Sequence, residues 1–133
     1  MEYYNNWKKF VLKESNKCSY YKRGMCDAYA LALHRKTNYP LYVVRGYYWD
    51  DWSEEEAYED AHMVVKKQDN VYLDVDGEKN YNELISNSMF TNKVEKVDIV
   101  PISYNEALYT FTMEGVSEED IKEAEDYIEK NSL

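Results

Sequence analysis

The stretch Gly24-Met25-Cys26-Asp27-Ala28-Tyr29-Ala30-Leu31-Ala32-Leu33 decides the reading of this chain, because it sets one thiol at the start of an apolar helix rich in small residues. Ala28 to Leu33 leave almost no polar side, so a helix over Cys26 to Lys36 has to be covered nearly all round by sheet or loops. Asn38-Tyr39-Pro40 breaks it, and Leu41-Tyr42-Val43-Val44-Arg45-Gly46-Tyr47-Tyr48-Trp49 is β-branched and aromatic enough to be a strand.

Working outward, Ala61 to Lys67 and Val71 to Asp76 read as two more strands, with Gln68-Asp69-Asn70 as a three-residue hairpin loop. That loop pairs Lys67 with Val71, Val64 with Asp74 and His62 with Asp76, so His62, Asp74 and Asp76 share one sheet face, expected to be the face that meets the Cys26 helix. Opposed Cβ atoms lie about 4.5 to 5.5 Å apart and diagonal ones about 7 to 8 Å, so either carboxylate can reach an imidazole nitrogen. A change of one residue in the loop would undo this.

Other segments complete the outline. Trp7, Phe10 and Val11 mark an amphipathic helix over Tyr4 to Ser15, followed by a turn-prone stretch from Asn16 to Gly24. Asp50 to Asp60 carries seven acids among eleven residues and reads as a helical turn at Glu54 to Tyr58 or as a solvated loop over the site. A short helix is expected around Tyr81 to Ile85 and a strand over Val94 to Ile102. Ser117-Glu118-Glu119-Asp120 caps a final helix to about Lys130, with Ile121, Ala124 and Ile128 as its apolar face. The expected architecture is a single α+β domain over residues 1–133. Its Cys26 helix packs on an antiparallel sheet built from the strands near Leu41, His62, Val71 and Val94, with the terminal helices outside.

A chain of 133 residues can bury a sizeable core without a disulfide or a metal. No run of about 18 apolar residues occurs, and the start Met1-Glu2-Tyr3-Tyr4 lacks the basic, then apolar pattern of a signal peptide, so a cytoplasmic protein with free Cys18 and Cys26 is expected. The net charge of -10 is unevenly divided: residues 1–49 carry +6 and the remainder -16. An acidic chain without a basic stripe suits a protein with a basic surface, and argues against nucleic acid or a membrane as partner.

Thiol, imidazole and carboxylate in this order are what acyl chemistry on sulfur requires. Cys26 is the candidate nucleophile, favoured as thiolate by the helix N-terminus and by Lys22 and Arg23 just before it. His62 takes the proton, Asp74 or Asp76 orients the ring, and the Cys26 N–H is a natural oxyanion donor. His34 lies roughly 12 Å along the same helix, too far to serve as the base. Cys18, Cys26, His34 and His62 show neither CxxC nor HxxxH spacing, and Gly77 comes too early for a calcium loop. Neither metal nor cofactor is expected.

Gly24-Met25-Cys26 leading into Ala28 to Leu33, then His62-Met63-Val64-Val65, then Tyr72-Leu73-Asp74, resembles the papain-like superfamily, above all its small bacterial and phage branches and the transglutaminase-like core. The resemblance covers about residues 20 to 77, in pieces. It implies a Cys26, His62 and Asp74 triad that cleaves peptide or isopeptide bonds, or deamidates or cross-links glutamine. Ser19-Tyr20-Tyr21-Lys22 stands where the papain pattern has its oxyanion-hole glutamine; no tryptophan follows His62, so transfer to an amine is not favoured over hydrolysis. The favoured function is thus a thiol-dependent hydrolase of an amide-type bond, either peptidase or isopeptidase or glutamine deamidase. The competing expectation is a non-catalytic acidic binder, such as a phage-encoded inhibitor of a host nucleic-acid-binding or defence enzyme. It would act through Trp49, Asp50, Asp51 and Trp52 beside exposed Tyr47 and Tyr48. The abundance of Lys, Asn and Tyr suggests an AT-rich bacterial or phage gene.

Overall fold

A computed structural model describes residues 25–131; the expected helix over Tyr4 to Ser15, the following turn, Cys18, Lys22 and Arg23 lie outside these. The described elements are α1 (Cys26–Thr37), β1 (Leu41–Asp50), β2 (Glu55–Gln68), β3 (Val71–Asp74), β4 (Gly77–Lys79), α2 (Tyr81–Asn87), β5 (Lys96–Pro101), α3 (Tyr104–Tyr109) and α4 (Glu118–Asn131). The fold is α+β, with an antiparallel five-stranded sheet in the order β4-β3-β2-β1-β5. No described helix is long and apolar enough to cross a membrane.

Three alanines at Ala28, Ala30 and Ala32 let α1 lie close against its neighbours, and every residue from Asp27 to Leu33 is buried. Asn38 ends the helix in the left-handed region, at φ 65°, and its N–H donates to the His34 carbonyl at 2.7 Å. On one side α1 meets Leu41, Val43, Met63 and Val65 of the sheet, and Ile121, Ala124 and Ile128 of α4 join the same core. The alternate residues Val44, Val64 and Tyr72 face the other way, under Leu84 of α2 and Phe90 of the segment after it. Ser117 Oγ accepts the Asp120 N–H at 3.1 Å, as expected of a cap to α4.

The acidic segment corrects the reading of residues 50–60: it is neither a helical turn nor a covering loop. Asp50 pairs with Glu55, Trp49 with Glu56, Tyr48 with Ala57 and Tyr47 with Tyr58, so β2 begins at Glu55. β5 pairs with β1 only as far as Tyr47 opposite Lys96, and β3 pairs with β2 only from Val65 onward. The far end of the β1–β2 hairpin is therefore a two-stranded ribbon. Such a ribbon covers no core, so its sequence lacks the apolar alternation by which a half-buried strand is recognised. β4 and α3 are also absent from the sequence reading.

β2 carries two irregularities. The pairing steps from Val44 opposite His62 to Arg45 opposite Asp60, which leaves Ala61 as an extra residue. Near the other end it steps from Lys66 opposite Tyr72 to Gln68 opposite Val71, which leaves Lys67 extra. The β2–β3 turn is thus two residues, Asp69 and Asn70, with Asn70 at φ 59°, and not the expected three. The Lys67 bulge compensates for the shorter turn. Val65 lies opposite Leu73, so the frame that puts Asp74 level with Val64 survives.

Candidate active site

Met25, at the N-cap of α1, makes no side-chain cap, and Cys26 opens the first turn of the helix. Cys26 is a free cysteine, half-buried. β2 brings His62 to it from across the sheet, where the strand is irregular at Ala61. By alternation His62 belongs with Val64 and lies across from Val44, on the face away from α1, which differs from the expectation that it would sit on the face meeting the helix. β3 ends at Asp74, so no strand flanks β2 at His62 on the side away from β1, and the ring reaches the thiol. The His62–Asp76 pairing expected in the ladder is absent for the same reason.

Asp74 holds the ring. Its Oδ2 lies 3.0 Å from His62 Nε2, its Oδ1 accepts the Asp76 N–H at 2.9 Å, and the carboxylate is buried. With Nε2 engaged, Nδ1 is the nitrogen left for Cys26. Burial alone would lower the His62 pKa, but hydrogen bonds to Asp74 and Cys26 and their negative charge outweigh it and push it up to about 9. The ring is therefore an imidazolium at neutral pH, next to the sulfur.

Asp76, the alternative orienting residue, gives its N–H to Asp74 and sets its carboxylate 3.5 Å from Lys79 Nζ. It also lines a cavity of about 450 Å³ beside the ring, with His62, Asp74, Lys79, Asn87, Ser88 and Met89. Asn87, Ser88 and Met89 went unnoticed in the sequence, since nothing in a polar segment marks it as a cavity wall. Glu59 anchors the chain that follows: its carboxylate accepts the Thr91 and Asn92 N–H groups at 2.8 and 3.0 Å. These bonds overcome the effect of burial and hold its pKa at about 2.

Asp27, next to the thiol, also escaped notice. It is buried, its Oδ1 accepts the Ala28 N–H at 2.8 Å, and burial raises its pKa despite that bond. An acid in the first turn of an otherwise apolar helix is the signal that would have found it.

Trp49, Asp50, Asp51 and Trp52 lie at the ribbon tip, away from the triad. Trp52 and Trp49 are 97% and 55% exposed, whereas Tyr47 and Tyr48 are half-buried, against expectation. Asp50 is engaged within the turn, accepting from Trp52 N at 3.2 Å and Ser53 Oγ at 2.9 Å. His34 lies at the other end of α1, its Nδ1 2.8 Å from the Tyr39 carbonyl. Among the described residues no group of three His, Cys, Asp or Glu side chains is placed to hold a metal ion. Compared with protein-family models, curated proteins and solved structures, the chain gives no match.

Proposed function

We propose that this chain is a thiol-dependent hydrolase of an amide-type bond, built on a papain-like core, with Cys26 as nucleophile, His62 as acid and base, and Asp74 as the residue that orients the ring. The observation that carries this reading is the nearness of Cys26 to His62, whose ring lies 3.0 Å from the buried Asp74 carboxylate. An imidazolium in contact with sulfur stabilises negative charge there, and the helix N-terminus adds to it.

The Cys26 sulfur attacks the carbonyl carbon, and the C=O electron pair moves onto oxygen near the Cys26 N–H. Collapse of that adduct breaks the C–N bond, the amine leaves with the His62 proton, and a thioester remains. Water then gives a proton to His62 and attacks the thioester carbon; the sulfur leaves as thiolate beside a restored imidazolium. The cavity next to His62 supplies room for the group on one side of the bond. A peptide bond or a glutamine side chain of another protein is the substrate class, and the location is cytoplasmic.

Alkylation with iodoacetamide across pH 5 to 9 tests this. Cys26 should react at pH 6 at least tenfold faster than Cys18, and His62→Gln should remove the advantage. Equal rates for the two thiols in the folded protein would end the reading. A second reading, binding without catalysis, is favoured by one observation, the 97% exposure of Trp52 amid acids. It requires Cys26→Ala to leave the biological effect intact.

A further inference from the structure

Over its first part β2 has a side that no described strand covers. β1 divides its main chain by parity. The Pro40 carbonyl just before it and the Asp50 carbonyl at its end accept from Lys66 and Glu54 N–H, on the β2 side, at 2.9 and 2.8 Å. The Leu41 and Tyr47 carbonyls accept from Ile102 and Glu95 N–H instead, on the β5 side, at 3.0 and 2.7 Å. Even-numbered residues of β1 thus turn toward β2, and odd-numbered ones toward β5. Opposite the even residues Tyr48 and Gly46 stand Ala57 and Glu59, whose N–H and C=O groups are engaged with β1. Opposite the odd residues Trp49, Tyr47 and Arg45 stand Glu56, Tyr58 and Asp60, which turn theirs the other way. β3 reaches β2 only from Val65 onward, and no other described backbone group bonds these three.

This open edge leads to the reactive pair by continuity of the strand. His62 is two residues beyond Asp60, and Cys26 lies against its ring. From Glu56 to His62 is roughly 20 Å at strand spacing. Where the edge reaches His62, the cavity of about 450 Å³ begins, lined by Ala61 and His62 of β2 and by Asp74 and Asp76 at the point where β3 turns away. The acids along the edge already have partners on the sheet faces: Asp60 bonds Arg45, and Glu59 bonds Thr91 and Asn92. What the edge itself offers is main chain.

We propose that the open edge of β2 takes an extended segment of the substrate protein as an added strand, through main-chain hydrogen bonds at Glu56, Tyr58 and Asp60, so that the attacked bond falls next to His62. The continuity of the edge with the His62 cavity is what assigns it to substrate. Recognition of this kind reads backbone, and it needs alternate N–H groups of the segment to be free, because residues i and i+2 of a strand bond on the same side. The segment is therefore one the substrate can present extended: a terminus, a long loop or an unfolded stretch. That it holds the attacked bond rests on the acyl-transfer reading above; the docking itself does not.

The test uses isotope-labelled Cys26→Ala protein, which cannot turn over, and ten-residue alternating Thr-Lys peptides at millimolar concentration, followed by amide hydrogen exchange. The unmodified peptide should slow exchange of the Tyr58 and Asp60 N–H groups roughly threefold or more, while those of Ala57 and Glu59, already bonded to β1, change less than about twofold. Methyl groups on the backbone nitrogens of four alternate residues block one edge of the peptide and leave the other, so protection should persist. The same four methyl groups in two adjacent pairs block both edges and should abolish it. Glu56→Pro, which removes an outward N–H and no bond to β1, should roughly halve the protection. In the unsubstituted protein the unmodified peptide should also slow alkylation of Cys26 about threefold, by covering the end of the edge. Uniform or absent protection, equal effects of the two methylation patterns, or unchanged Cys26 alkylation while Tyr58 and Asp60 are protected would overturn the proposal. So would protection of these amides that grows with protein concentration in the absence of peptide, which would give the edge to a second copy. A Cys26 no faster than Cys18 in the alkylation test, with the edge selectively protected, would remove only the acyl chemistry; a reactive Cys26 without selective protection would remove only the docking.

Discussion

At the residue scale the decisive balance is at His62, whose side chain is only 18% exposed yet carries charge. Burial opposes that charge, and the contacts with Asp74 and Cys26 reverse the outcome, so the folded ring titrates at about 9 against an ordinary 6.5. A pKa raised by folding contributes stability that is complete below about pH 6.5 and disappears as pH rises through about 9. Denaturant midpoints should therefore fall between pH 7 and pH 10, and NMR titration of the ring should centre near 9. In Asp74→Asn the carboxylate charge is gone while burial remains, so the midpoint should drop by at least one pH unit. A wild-type ring titrating at its ordinary value would contradict this account. That His62 and Asp74 meet was readable from sequence, because strand alternation puts both on one face; that this face is the one away from α1 was not, because alternation does not say which face a helix covers. The choice between Asp74 and Asp76 was not, because it depends on where β3 stops.

Among the elements, β2 and the segment after α2 depend on one another through a single rung. Gly46 and Glu59 face each other across β1 and β2, and the segment closes over both. A Cβ on Gly46 would lie 2.6 Å from Val94 Cγ1 and 2.7 Å from Phe90 Cε1, so side chains on two sides would have to move. Gly46→Ala should cost about 1–3 kcal/mol by urea denaturation through overpacking. A neutral effect would mean that Phe90 and Val94 do not pack there. α1, β1, α2 and α4 emerged from sequence nearly whole, because their apolar faces or caps set their limits. β4, with three residues, and α3, with six, are too short to show a period. The ribbon was hidden for a different reason: exposed on both faces, it has no inside to record.

Across the whole molecule, the basic first part and the acidic remainder meet where α1 crosses α4. Arg35 bonds Glu118 and Glu125, and Lys36 bonds Glu129. These pairs are solvent-exposed and decorate a contact whose substance is Ile121, Ala124 and Ile128, all at most 3% exposed. Ile121→Ala should thus cost about 2–5 kcal/mol and Arg35→Met less than about 1, measured by the same denaturation. Equal losses would shift the credit to charge. The Lys67 bulge has a consequence for descent as well as for shape. The strand keeps one residue more than its ladder uses, so a lineage could delete a codon between Lys67 and Asn70, draw the strand straight, and still present Asp74 to His62. A gained codon finds no such reserve. Relatives of this chain are accordingly expected to vary there by loss before they vary by gain.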